Sequence, residues 1–294
     1  MQRSRNNLRW YFLGVLAFVS VFIWYAVFYA EAHRRLLSVH FFDIGQGDAI
    51  FVEAPNGNQI LVDGGPDNTV LAKLGETMPF WDRSIDVLVL SHPHADHLDG
   101  LVEVVKRYDV GVVIESGANH TIPEYAEWHA LLREKNIPVV IPKVGERIDA
   151  GGGVALDVLS PLENFEGVSP KNIHDANVVG RLMYASTSVL LMGDAEEKLE
   201  YRLLYSGVFI DSDVLKVGHH GSKTSTSEEF LRAVSPEIAV IQVGRKNRYG
   251  HPYQGVLDRL AAFGVRIFRN DLDGDILLQS DGVSFIVNNN VVNK

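Results

Sequence analysis

The chain contains no cysteine. That excludes disulfides and thiolate ligands, so any metal must be held by imidazole, carboxylate and water. It leaves the compartment open on either side of a membrane. An excess of positive charge is also missing: 27 Lys and Arg stand against 37 Asp and Glu, a formal charge of -10. Non-specific binding to polyanions rests on neutralising Lys and Arg, so a general nucleic-acid-coating role is excluded. A local basic group could still present a phosphate chain to a site. Low-complexity tracts and solenoid-type repeats are absent too. What remains is a 294-residue chain, 46% hydrophobic, long enough to bury a large core.

Charge is missing altogether from residues 10–30, which read WYFLGVLAFVSVFIWYAVFYA. About 20 apolar residues in a helix cross the hydrocarbon core. Trp10 and Tyr11 at one end and Tyr29 at the other suit the interfaces. The run is longer than a signal-peptide core, so a single membrane span is expected. Arg3, Arg5 and Arg9 precede it; Arg34 and Arg35 follow. The basic excess lies N-terminal and favours an extracytoplasmic large domain in a single-pass protein of the cell membrane. The expected division is a tail at 1–9, a span at 10–30, a linker at 31–35 and a domain at 36–294. So short a linker keeps that domain close to the bilayer.

The domain opens with strand patterns at 36–44, 49–54 and 59–62, joined in part by the turn signal Pro55-Asn56-Gly57-Asn58. Strands and helices then alternate. Strands are expected at 86–90 and 112–114 and helices at 99–108 and 122–135. A second half brings strands at 157–159, 178–185, 188–192, 214–217 and 238–243, with helices at 196–205, 227–234 and 254–263. Two or three strands close the chain. Hairpins followed by strand–helix alternation, twice over, predict two packed sheets with helices outside.

The strongest signal is Ser91-His92-Pro93-His94-Ala95-Asp96-His97, between an expected strand and an expected helix. His92 and His94 are two apart, so in extended backbone they project to one side and can share a cation. Asp96 and His97 lie in the turn into the helix and can serve a second. Imidazole and carboxylate suit zinc, manganese or iron. Further ligands should come from distant strand ends. Asp194, after the apolar run 189–192, is a candidate bridging ligand, with an N-cap the simpler alternative. In Gly218-His219-His220-Gly221 one imidazole is expected to complete the second site; His219 is favoured as ligand. His220, His251 and Asp96 are then the candidates for acting on the reacting bond. His174 is a candidate third ligand of the first metal. His33, His40, His120 and His129 lack partners in motif spacing and read as ordinary.

These residues resemble the metallo-β-lactamase superfamily, whose H-x-H-x-D-H motif matches residues 92–97. More narrowly, the domain resembles the C-terminal domain of the ComEC competence proteins. The matching segments are Phe42-Asp43-Ile44-Gly45-Gln46-Gly47-Asp48-Ala49, Leu61-Val62-Asp63-Gly64-Gly65, Leu191-Met192-Gly193-Asp194, residues 213–222 and Arg248-Tyr249-Gly250-His251-Pro252. The resemblance implies a mixed α/β, four-layer αββα sandwich behind the membrane helix, with two divalent cations, zinc or manganese, at one edge. It implies that Asp63 and Asp48 support the site, and that the reaction is hydrolysis of phosphodiesters in DNA or cell-envelope polymers. The chain departs from that family in two ways. It has one span rather than a many-helix channel, and it carries His174 where relatives often have Asn. Hydrolysis of a lactone, thioester or β-lactam at the same site is one alternative. A non-catalytic binding module of an uptake or envelope complex is another.

Overall fold

The computed structural model describes residues 2–33 and 36–289. Arg34 and Arg35, on which the expected orientation partly rests, lie outside them. Helix α1 spans Gln2–His33 and takes in residues 2–9 of the expected tail. Within it, Arg9–Tyr29 is long and apolar enough to cross a membrane, and none of it is buried against the rest of the chain.

The first sheet uses β1 (Leu37–Phe41), β2 (Ile50–Glu53), β3 (Gln59–Val62), β4 (Ser84–Leu90), β5 (Asp109–Glu115) and β6 (Val139–Val140). The second uses β7 (Arg147–Gly151), β8 (Val154–Ser160), β9 (Val179–Tyr184), β10 (Thr187–Leu191), β11 (Val214–Lys216), β12 (Ile238–Ile241) and β13 (Arg266–Arg269). The chain then returns with β14 (Ile276–Ser280) and β15 (Phe285–Asn289) to the free side of β1, giving eight strands in one sheet and seven in the other. Against the first sheet lie α2 (Thr69–Thr77), α3 (Ala95–Arg107) and α4 (Pro123–Glu134); against the second lie α5 (Glu197–Ser206), α6 (Glu228–Val234) and α7 (Gln254–Ala262). A short α8 (Asn270–Asp273) precedes β14.

The period-2 alternation of the strands builds three apolar layers. Val87 and Val89 of β4 meet Val189 and Leu191 of β10 between the sheets. Leu88 and Leu90 face outward onto Leu98, Leu101 and Trp128 of α3 and α4. Leu190 and Leu215 face outward onto Leu199, Leu203 and Phe230. This is the αββα sandwich expected from the alternation of elements.

Strands β1, β3, β4 and β5 run in one direction, as do β10, β11, β12 and β13 in the other sheet. Their C-terminal ends supply the loops that carry the conspicuous motifs. Helix α2 and strand β7 were not foreseen. Helix α2 buries only Val70 and Leu74 and contains Gly75, which leaves a weak periodic signal. Strand β7 buries only Ala150.

Candidate metal centre

Side chains from both sheets converge on one rim. His92 follows β4, and His94 stands at the N-cap position of α3, so Asp96 and His97 occupy its first turn. Two hydrogen bonds from Ser91 reach the Asp63 carboxylate, from its amide at 2.8 Å and its hydroxyl at 2.6 Å. Asp63 also accepts from His97 Nδ1 at 2.8 Å. That bond leaves His97 Nε2 facing the centre, 3.4 Å from Asp194 Oδ2. Fixing an imidazole through its other nitrogen is how proteins prepare a ligand.

Asp194 follows β10 through Met192-Gly193. Gly193 has φ of +49°, and a Cβ there would meet Asn177 Oδ1 at 2.5 Å, so only glycine fits the turn. Asn177 locks the turn by donating to Met192 O at 2.7 Å and accepting from the Asp194 amide at 3.2 Å. The N-cap position of α5 belongs to Glu196, so Asp194 is not its cap.

His219 and His220 both adopt left-handed backbone, with φ of 49° and 54°. For residues with a Cβ this costs about 1–2 kcal/mol each, a local strain that turns the two rings in different directions. His220 Nδ1 donates to Gln242 O at 2.9 Å. Its Nε2 lies 3.5 Å from both Asp96 Oδ2 and Asp194 Oδ1. His219 is half-exposed, with Nδ1 3.5 Å from Glu196 Oε1 and Nε2 3.8 Å from Asp194 Oδ2.

Four overlapping donor groups result among the described residues. The two that hold the sequence motifs are His92, His94, His174 and Asp194, and Asp96, His97 and His220; Asp48, His97 and Asp194 form another. The imidazole placed with Asp96 and His97 is thus that of His220, whereas the sequence favoured His219. His219 instead groups with His174 and Glu196. His174 sits on a short turn, Ile173–Ala176, that brings it beside His92 and His94, at ring separations of 5.1 and 4.9 Å. His251 lies farther out, its ring 5.8 Å from that of His219.

The donors fit a pair of cations. His97 Nε2, His220 Nε2 and Asp194 Oδ1 are buried without a hydrogen-bond partner. Orphaned polar atoms of this kind are costly unless something else satisfies them. Ligands about 2.0–2.2 Å from one tetrahedral ion stand roughly 3.4 Å apart, close to the 3.5 Å between His220 Nε2 and Asp96 Oδ2 and the 3.4 Å between His97 Nε2 and Asp194 Oδ2.

Electrostatics sort the same residues. Burial drives His92 well below the ordinary imidazole range, and neighbouring imidazoles push further. Burial likewise brings His94 down to about 4. At Asp194 burial pushes upward, but His220 and His97 outweigh it and hold the carboxyl well below its usual range. At His220 burial pushes downward, and Asp194 and Asp48 prevail, raising it to about 10.

Several participants went unread in the sequence. Lys216 is fully buried, ion-paired with Asp48, and donates to Gly193 O at 3.0 Å. Its signal was a cation inside the apolar strand pattern 214–217. Glu196, held by Asn172 at 2.8 Å and Thr224 at 2.9 Å, gave none. His120, read as ordinary, stacks edge-on near His94 at 5.6 Å.

Residues 42–245 match the metallo-beta-lactamase superfamily. ComE operon protein 3 of Bacillus subtilis is 31% identical over 255 residues, 81% of this chain and 32% of that protein. Competence protein ComA of Neisseria gonorrhoeae is 33% identical over 250 residues, 81% of this chain and 31% of that one. The chain therefore spans about a third of the length of these curated relatives. Among solved structures, the metallo-beta-lactamase fold protein YhfI of Bacillus subtilis aligns with a TM-score of 0.51 at 12% identity, covering 80% of this chain and 96% of its own. The family match covers well over half of the chain, the fold agrees with it, and the chain belongs to the metallo-β-lactamase superfamily.

Proposed function

We propose that the chain is a membrane-anchored two-metal hydrolase of phosphodiesters, with nucleic acid the leading substrate class. The observation that carries the reading is the position of Asp194. Its Oδ2 faces His92 at 3.7 Å and His97 at 3.4 Å, and its Oδ1 faces His220 at 3.5 Å, so one carboxylate borders both donor groups. In this reading His92, His94, His174 and Asp194 hold the first cation, and Asp96, His97, His220 and Asp194 the second. Zinc or manganese bound there supplies Lewis acidity toward a phosphoryl oxygen and lowers the pKa of water to about 7.

The remaining groups act around that centre. His219, no longer needed as a ligand, faces Glu196 and is positioned to carry a proton to the leaving oxygen. His251 borders it and stacks on Tyr249 at 5.9 Å. Exposed Lys223, Lys246 and Arg248 lie on the same rim. They suit a phosphate chain despite the acidic total, whereas a neutral acyl ester needs none of them. The name of the Neisseria relative, a competence protein, also favours nucleic acid.

The test uses the full chain in detergent. Metal content is measured first, then cleavage of bis-p-nitrophenyl phosphate and of an acyl thioester, with zinc and manganese added separately. The expected result is bound metal, chelator-sensitive cleavage of the phosphodiester, and its loss in His92→Ala/Asp96→Ala. Thioester cleavage alone would replace the substrate class. Absence of both metal and turnover would favour a binding module.

A further inference from the structure

The edge of the sandwich opposite the metal centre exposes an aromatic pair with no apolar cover. Phe80 and Trp81 are 81% and 72% exposed and pack edge-on against each other at 4.8 Å. They form a tight turn between α2 and β4, with Met78 before it buried and Pro79 exposed.

Strand register fixes where this turn lies. Helix α1 ends at His33 and β1 begins at Leu37, so the membrane helix joins the sheet at the start of β1. Ser38 pairs with Glu53, Glu53 with Gln59, and Ile60 with Val87. Leu37 is thus level with about Ile85, and the turn at 80–81 projects beyond the level at which β1 starts. Strand β4 is three strands away from β1, roughly 14 Å across the sheet. From Tyr29 to Leu37 the chain extends at most about 20 Å, counting helical rise to His33 and extended backbone after it. The turn that joins β14 to β15 reaches the same edge, since Ser280 pairs with Leu37, and it exposes Val283.

We propose that this edge docks on the lipid bilayer, with Phe80 and Trp81 seated at the headgroup level of the membrane that α1 enters. Trp in particular favours that depth, where its ring is in apolar surroundings and its N–H stays wet. The bilayer is the occupant that the chain itself brings within reach of the pair. Docking turns the metal centre away from the membrane, so that its substrate arrives from the aqueous phase. The inference rests on α1 being inserted in the bilayer.

The absence of cysteine makes single-site labelling direct. The full chain is reconstituted into phosphatidylcholine vesicles and labelled with an environment-sensitive fluorophore at Phe22→Cys, Phe80→Cys, Val283→Cys or Lys246→Cys. Nitroxide-bearing lipids then quench whatever lies in the bilayer. Quenching is expected at 22, 80 and 283 and not at 246. Adding Phe80→Ser/Trp81→Ser should lower quenching at 283 by roughly threefold or more. Quenching at 22 with none at 80 and 283 would leave the span in place and overturn the docking. No quenching at 22 would remove the span itself, and the docking with it. A blue shift at 80 without lipid quenching would assign the pair to a contact with a second copy of the chain and likewise overturn the proposal.

Discussion

Asp63 holds the Nδ1–H of His97 at 2.8 Å while its two oxygens also take both hydrogen bonds that Ser91 can donate. One buried carboxylate therefore sets the tautomer of a proposed ligand and the path of the loop that carries His92. Replacing Asp63 with Asn keeps the size and removes the charge. Metal affinity at the second site should fall about 10–100-fold, the usual effect of losing such a partner. Isothermal titration with zinc checks this, and a loss confined to the fold, with affinity intact, would contradict it.

Asp194→Asn should act on both donor groups at once. The bridging position is worth several kcal/mol of transition-state stabilisation, so kcat should drop on the order of 100–1000-fold. Metal content should fall toward one ion per chain. A variant with two ions and full turnover would remove Asp194 from its proposed place.

Lys216 and Asp48 are both buried and paired. Lys216→Met leaves the buried carboxylate only imidazole neighbours, His220 at 3.3 Å and His97 at 3.9 Å, and unfolding should become easier by up to about 3 kcal/mol. Asp48→Asn added to Lys216→Met should recover a good part of that loss. Urea unfolding in detergent reads both, and an additive double variant would show that the pair is not coupled.

His40 gives a pH dependence away from the centre. Burial lowers it from 6.5 to about 4, against a smaller upward push from Asp275. Its folded pKa lies below its unfolded one, so the neutral form is favoured by folding. Its stability contribution is complete above the unfolded value and declines as pH falls from 6.5 to about 4. The full loss is about 3 kcal/mol. His40→Gln should flatten the unfolding midpoint over that interval relative to the parent chain.

The layers were legible because hairpins followed by alternating strands and helices recur twice; the continuous apolar run Val87 to Leu90 is what two covered faces impose on such a strand. The histidine-bearing loop was legible because His92, His94 and His97 crowd a short segment between regular elements. The division of labour between His219 and His220 was not. It depends on two left-handed backbone angles, and adjacent identical residues carry no sequence sign of which ring turns inward. Glu196 and His120 were hidden for a related reason. Their roles come from loops that meet only after both sheets have packed.

Both donor groups draw on the first and second halves of the chain: His92, His94, Asp96 and His97 come from one, His174, Asp194 and His220 from the other. Neither half alone can assemble a complete coordination sphere. Cations bound at this rim would therefore rivet the two sheets together where their loops are longest, and stripping them would let the sandwich gape from that side while its far edge stays shut. Protease cutting in the loops around 172–178 and 219–226, with and without chelator, would reveal the hinge.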